Sequence, residues 1–163
     1  MRLFVTAERV LQAWMDTTLE FRRRDGGAAA LRVDLRRSPA ARLSRRLGDL
    51  GLPGPFAVVT ADNPGALAGG ALRAAPGGGA RLRALLAARG ILDPVCVAGV
   101  SRDGAHREEG LAVPWPEEEA VDLAAALSQD GIYFWDGERF FIVGTRPRGP
   151  GRLPLPARKQ PAR

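Results

Sequence analysis

The sequence has almost none of the residues that carry metal and redox chemistry: one cysteine, Cys96, and one histidine, His106, in 163 residues. A single cysteine cannot form an intramolecular disulfide, so a reducing, cytoplasmic compartment is expected. One Cys and one His cannot assemble a zinc site of the Cys/His type, and neither a metal nor a cofactor is expected. Nucleophilic schemes of the Ser-His-Asp or Cys-His kind would have to use His106. That residue lies in a charged turn between Arg102 and Glu109, where a solvated imidazole is the plainer reading. Cys96 falls in an apolar strand and reads as a small core residue. Long apolar runs are missing too, since no stretch approaches the ~20 residues of a membrane helix. Near the start, Arg2, Glu8, Arg9 and Asp16 interrupt the apolar run that a secretory signal needs. The chain reads as soluble and cytoplasmic, with no membrane partner. Lysine is nearly absent, one of 24 basic residues, while Ala, Gly and Pro abound, so part of the arginine excess reflects GC-rich coding.

What is present is ordinary globular material, 45% hydrophobic and 26% charged, enough for one domain with its own core. The formal charge of +6 is unevenly spread. Residues 1–50 carry 11 Arg against 6 acids, residues 51–145 carry 7 against 12, and residues 146–163 carry five Arg and Lys159 with no acid. Basicity therefore belongs to the two ends, a distribution that suits an anionic partner or a basic tail.

Periodicity supplies the elements. Val10, Leu11 and Trp14 predict a short amphipathic helix from Ala7 to about Asp16. Residues 17–22 and 31–35 alternate as two strands of an antiparallel pair. Ser38-Pro39 predicts a helix start, with Leu43, Leu47 and Leu50 on its buried face and Gly51 as its stop. Phe56–Thr60 is a buried strand that ends in the polar turn Asp62-Asn63-Pro64-Gly65. The Gly/Ala-rich stretch 65–79 predicts a mobile loop. A helix with Leu82, Leu85 and Leu86 on one face follows, closed by Gly90, then a strand over 95–100, a polar turn over 101–107 and a short strand over 110–113. Pro116 and three glutamates open a helix that runs to about Ser128. Asp136-Gly137 between aromatic and β-branched runs predicts a two-residue type I′ hairpin.

These elements give one α+β domain over residues 1–145, with helices packed on a mixed, mostly antiparallel sheet. From residue 56 the order β-α-β-β-α-β-β allows a ferredoxin-like split βαβ core with extra strands. Residues 146–163 read as a disordered basic Pro/Arg-rich tail.

Two sets of residues could carry function. Thr60, Asp62 and Asn63 stand at the C-terminal end of a buried strand, where side chains either converge on a ligand or make an Asx turn. Glu108 and Glu109 are adjacent, so in a strand only one of them faces inward. Gln129 sits where a helix hands over to the last hairpin, and Arg32 alternates with apolar Leu31 and Val33. A phosphate cradle at Gly77-Gly78-Gly79 before Arg81 and Arg83 lacks both the P-loop lysine and the G-x-G-x-x-G spacing.

Ala13-Trp14 with Thr17, Leu31-Arg32-Val33, the run Val59 to Pro64, Glu109-Gly110-Leu111 and Gln129-Asp130-Gly131-Ile132, in that order, resemble the bacterial family catalogued as domain of unknown function 3293. The resemblance spans roughly residues 7–144. Its most specific piece is Thr60-Ala61-Asp62-Asn63-Pro64, and it departs from the family in the Gly/Ala-rich loop 65–79. It brings no known activity.

Placement at element ends together with this pattern predicts that Thr60, Asn63, Glu109, Gln129 and Arg32 converge in one pocket for a small polar or anionic ligand, with enzyme status open. The alternative is a nucleic-acid- or ribosome-associated protein acting through Arg22, Arg23, Arg24, Arg45 and Arg46 and the tail from Arg146 and Arg148 onward.

Overall fold

Alternation of apolar and polar residues turns the strand-like segments of this chain into one sheet with two different faces. The computed structural model describes residues 7–23, 27–60, 78–145 and 150–157. Its strands are β1 (Thr18–Arg22), β2 (Ala29–Asp34), β3 (Phe56–Thr60), β4 (Cys96–Val100), β5 (Arg107–Val113), β6 (Gly131–Trp135), β7 (Phe140–Gly144) and β8 (Leu153–Pro154). Its helices are α1 (Ala7–Met15), α2 (Leu43–Asp49), α3 (Gly78–Ala87) and α4 (Glu117–Ala126). The strands form a single eight-stranded sheet in the order β2-β1-β4-β5-β3-β6-β7-β8. All of its ladders are antiparallel, so the expected α+β class holds and the sheet is not mixed.

Period-two patterning sends Phe56 and Val58 of β3 to one face and Ala57 and Val59 to the other. The first face carries Leu19, Phe21, Val97, Ala112, Trp135, Phe140 and Ile142 in one cluster with Leu43 and Leu47 of α2. Phe21, Phe56 and Phe140 meet edge to face, with ring centroids 5.9 and 6.0 Å apart, the arrangement favoured by their quadrupoles. α1 adds Leu11, Trp14 and Met15 to this side, the i, i+3, i+4 stripe of an amphipathic helix. On the second face, Leu82 and Leu86 of α3 and Ala120, Leu123 and Ala124 of α4 cover Val59, Leu111, Val113, Ile132 and Phe134. Those two helices leave the far part of that face to Arg32 of β2 and Glu20 and Arg22 of β1, with the small, buried Ala98 of β4 between them and Glu109. Among the described residues, no helix is long and apolar enough to cross a membrane.

Several expectations are corrected. Ser38-Pro39 does not begin a helix: α2 starts at Leu43, after a turn in which Leu43 N donates to Ala40 O. Two leucines four residues apart are all this two-turn helix has to bury, so the helix begins where they do. Leu85 sits at the rim of α3, 36% exposed, while Leu82 and Leu86 are buried. The last hairpin lacks a type I′ turn, because Trp135 pairs with Phe140 and only Gly137 of the two turn residues has positive φ. The Asp136 carboxylate instead accepts from Glu138 N at 2.8 Å and Arg139 N at 2.9 Å and holds a longer connection. The expected disordered tail also fails for residues 150–157. Leu153 and Pro154 add β8 to the sheet edge, and Leu155, 3% exposed, enters the core as its N–H donates to Phe140 O. One buried leucine and a ladder contact offset the ordering of a short segment that composition alone marks as unstructured.

Candidate functional site

Antiparallel pairing of β5 with both β3 and β4 decides which acidic residue meets Thr60. The strand begins at Arg107, three residues before the start expected from its apolar pattern, because Arg107, Glu108 and Glu109 pair with Val100, Gly99 and Ala98 of β4. Alternation then sends Glu108 to the face that carries Thr60, and Glu109 to the opposite one. Thr60 Oγ1 lies 2.8 Å from Glu108 Oε1 and 3.0 Å from Gln129 Oε1. Two residues of the expected pocket, Thr60 and Gln129, thus meet, and Glu108 stands where Glu109 was expected.

Gln129 is held from both sides. α4 ends in a left-handed turn at Ser128, φ 60°, in which Ser128 N donates to Ala125 O and Gln129 N donates to Ala124 O, both at 2.9 Å. That geometry closes the helix and starts β6 within two residues, at the cost of a conformation that a side chain disfavours. From the far side, Thr145 Oγ1 donates to Gln129 O and Thr145 N donates to Asp130 O. The Gln129 side chain is only 4% exposed, and its Nε2 meets no acceptor among the described residues.

Two glycines make room for the cluster. A Cβ on Gly110 would stand 2.8 Å from Val59 O and 2.9 Å from Thr60 Cγ2, so the space beside Thr60 exists because its cross-strand partner has no side chain. A Cβ on Gly131 would stand 2.7 Å from Trp14 Cζ3, so the indole rests directly on backbone. Trp14 is fixed further by Tyr133, whose hydroxyl donates to Trp14 O at 3.0 Å. Burial raises the Tyr133 phenol well above its ordinary value, the Glu108 charge adds to the rise, and a hydrogen bond with Thr17 opposes it.

The result is a cleft of about 40 Å³ lined by Trp14, Val58, Thr60, Glu108, Gln129, Asp130, Gly131, Ile132 and Tyr133. Among the described residues its lining holds two carboxylates, Glu108 and Asp130. Glu108 and Asp130 each take part in further interactions. A donor, a hydroxyl and carboxylate acceptors beside an indole can recognise a small polar group.

No family model, curated protein or solved structure matches the chain.

The remaining expected site residues go elsewhere. Asn63 and Asp62 lie outside the described residues, as do the loop over 65–77 and Arg24, Arg146 and Arg148. Glu109 and Arg32 belong to an ionic ladder on the open part of the second face. There Arg32 Nε meets Glu20 Oε1 at 2.9 Å and Arg107 Nη1 meets Glu20 Oε2 at 2.7 Å. Arg107 Nε meets Glu109 Oε1 at 2.8 Å, and Arg22 Nη2 reaches Glu109 at 3.5 Å. Cross-strand register sets these charges in rows, since Arg32, Glu20, Ala98 and Glu109 are successive partners across β2, β1, β4 and β5. The Arg107 hydrogen bond is the main cause that holds the Glu20 carboxyl below its ordinary range, with burial opposing it and both guanidinium charges assisting. Arg23, Arg45 and Arg46 are exposed.

Sequence reasoning missed Glu108 and Trp14 as site residues. Spacing to Gly110 was the available signal for the first: counting back by two from a glycine that faces Thr60 selects Glu108 and rejects Glu109.

Proposed function

We propose that the protein binds a small polar ligand in the cleft between α1 and the ends of β3, β5 and β6. The observation that carries this reading is the Gln129 amide, a side chain 4% exposed, one end of which meets Thr60 Oγ1 at 3.0 Å while the other has no partner among the described residues. A buried polar group left unsatisfied costs about 1–3 kcal/mol, so such a group calls for a partner from outside the chain. Convergence supports the reading as well, because Trp14, Thr60, Gly110, Gln129 and Gly131 surround this cleft and also carry the resemblance to domain of unknown function 3293. Membership of that family and a cytoplasmic location belong to the same proposal. So does a ferredoxin-like core, for which the antiparallel order β4-β5-β3-β6 speaks, although such a fold hosts many functions.

The test is a thermal-shift screen of small polar compounds against the full chain, repeated on Thr60→Val and Glu108→Gln. At a hundredfold its Kd a ligand of this site adds about 2.7 kcal/mol. That amounts to a rise of ~5–10 °C for a domain of this size. Loss of the shift in both variants supports the reading. A stabiliser that acts equally on all three proteins, or the absence of any stabiliser, refutes it.

Arg42, Arg45 and Arg46 favour a second reading. They project from and beside α2, are exposed, and meet no carboxylate among the described residues. Clustered arginines of this kind bind phosphates with a steep salt dependence. Replacing Arg45 and Arg46 by Ala should weaken RNA binding and flatten its salt slope, and salt-independent or absent binding ends this reading.

A further inference from the structure

We propose that the outer edge of β7 is a groove for extended peptides, and that residues 152–155 are its built-in occupant, a strap that excludes peptides of the same pattern. The segment is held as a strand-adding peptide is held, by main-chain bonds along the edge and by alternate side chains in separate seats. Its register sets Leu153 opposite Ile142 and Pro154 opposite Phe141. Period two then sends Leu153 and Leu155 to the first face. There Leu155 is buried, 3% exposed, and Leu153 partly buried, in the cluster that holds Phe140 and Ile142. Arg152 is held on the other side, with its guanidinium carbon 3.5 Å from the centroid of the Phe141 ring and its Nε 2.9 Å from Glu117 Oε2 at the start of α4. An aromatic face beside a carboxylate suits a planar guanidinium better than any other side chain. The groove thus selects an arginine followed three residues later by leucine, the spacing of Arg152 and Leu155.

The strap is separable from the fold it covers. β8 has only two residues, and Pro154 has no N–H to give a ladder. The contacts that order the segment run outward, to β7 through the 2.8 Å bond from Leu155 N to Phe140 O and to α4 through Arg152. One leucine seat and one partly exposed ion pair are a small grip against the entropy of a released segment. Release leaves β7 paired with β6 along all five of its residues and bares a strand edge flanked by the leucine seat and the arginine seat. Only residues 146–149 separate Thr145 from the strap. So short a tether gives the strap an effective concentration on the order of millimolar, enough to exclude a dilute peptide until the grip is weakened.

The test compares the full chain, unaltered and with Arg152→Ser and Leu155→Ser together, using an end-blocked fluorescent peptide of residues 151–157 as probe. The expected result is saturable binding to the doubly substituted chain and binding at least about tenfold weaker to the unaltered one, whose own strap competes. A peptide with serine in place of either its arginine or the leucine seated at position 155 should also bind at least about tenfold more weakly. No binding to the substituted chain, or equal binding of parent and serine peptides, overturns the proposal. A substituted chain that fails to fold shows the strap to be part of the core and overturns it as well. Hydrogen exchange on the unaltered chain needs no variant: the Leu155 amide should exchange at least about a hundredfold faster than Val58 and Val59 in β3, through opening of the strap alone. Exchange of all three at one rate also overturns the proposal.

Discussion

Gly131→Ala is the substitution whose effect the geometry specifies most closely. Gly131 lies outside the left-handed region, so its backbone accepts an alanine without strain. Removing a glycine from the unfolded chain would by itself stabilise by about 0.4–1 kcal/mol. Against this, the new Cβ would stand 2.7 Å from Trp14 Cζ3, 3.0 Å from Cη2 and 3.0 Å from Val143 O. The carbonyl belongs to the neighbouring strand of a continuous sheet and cannot retreat, so the indole has to. Displacing a packed ring costs about 1–3 kcal/mol, and the displacement also threatens the Tyr133 bond to Trp14 O, at about 1 kcal/mol. The clash outweighs the entropy gain, leaving a net loss of about 1–3.5 kcal/mol. Two-state urea unfolding should report it, and a thermal midpoint should fall by ~2–4 °C for each kcal/mol. A double-mutant cycle with Trp14→Leu isolates the cause. With the ring gone, Gly131→Ala should cost at least about 1 kcal/mol less than in the parent protein. Additive effects, or a parental change within ~0.5 kcal/mol, would refute the close-approach argument.

Three further outcomes follow from other parts of the molecule. Tyr133 is the sole tyrosine and its folded-state pKa is raised, so the stability tied to its neutral form is complete below the ordinary value of 10.0 and is lost as pH rises above it. Phenolate absorbance should appear only together with unfolding, and free titration near 10.0 in the folded protein would contradict the burial. Glu20 has the opposite sign: its pKa is depressed, so its contribution is complete above the ordinary 4.5 and fades as pH falls through the lower folded value. Arg107→Ala should cost about 1 kcal/mol at neutral pH and low salt and nearly nothing once Glu20 is protonated, as measured by denaturant midpoints; a pH-independent cost would argue against the ladder. Ser128→Gly removes a side chain from a positive-φ helix end and should stabilise by ~0.5–1 kcal/mol, whereas a destabilised variant would show that the serine side chain has an anchoring role.

Periodicity alone determined most of the local structure. Leu43 and Leu47, Leu82 and Leu86, and the alternation in residues 18–22 and 29–34 each record which side of an element meets apolar neighbours, and that preference is written in adjacent residues. The stops at Gly51 and Gly90 were legible for a similar reason, since both take a positive φ that few other residues accept. Placement at the ends of their elements likewise pointed to Thr60 and Gln129, which meet in the folded chain.

Tertiary pairing decided the rest. Nothing within Arg107-Glu108-Glu109 marks a strand, because its partners, Glu20 of β1 and the backbone of β4, are remote in sequence. Once that register is set, a shift of a single residue separates a carboxylate in the cleft from one in the ionic ladder. The same holds for Leu155, whose burial depends on β7 being the open edge of the sheet, and for Trp14, whose indole lies in the cleft only because Gly131 has no side chain to keep it out. Local preferences decide which elements form, whereas contacts between distant segments decide which side chains meet, and the candidate site consists entirely of such contacts.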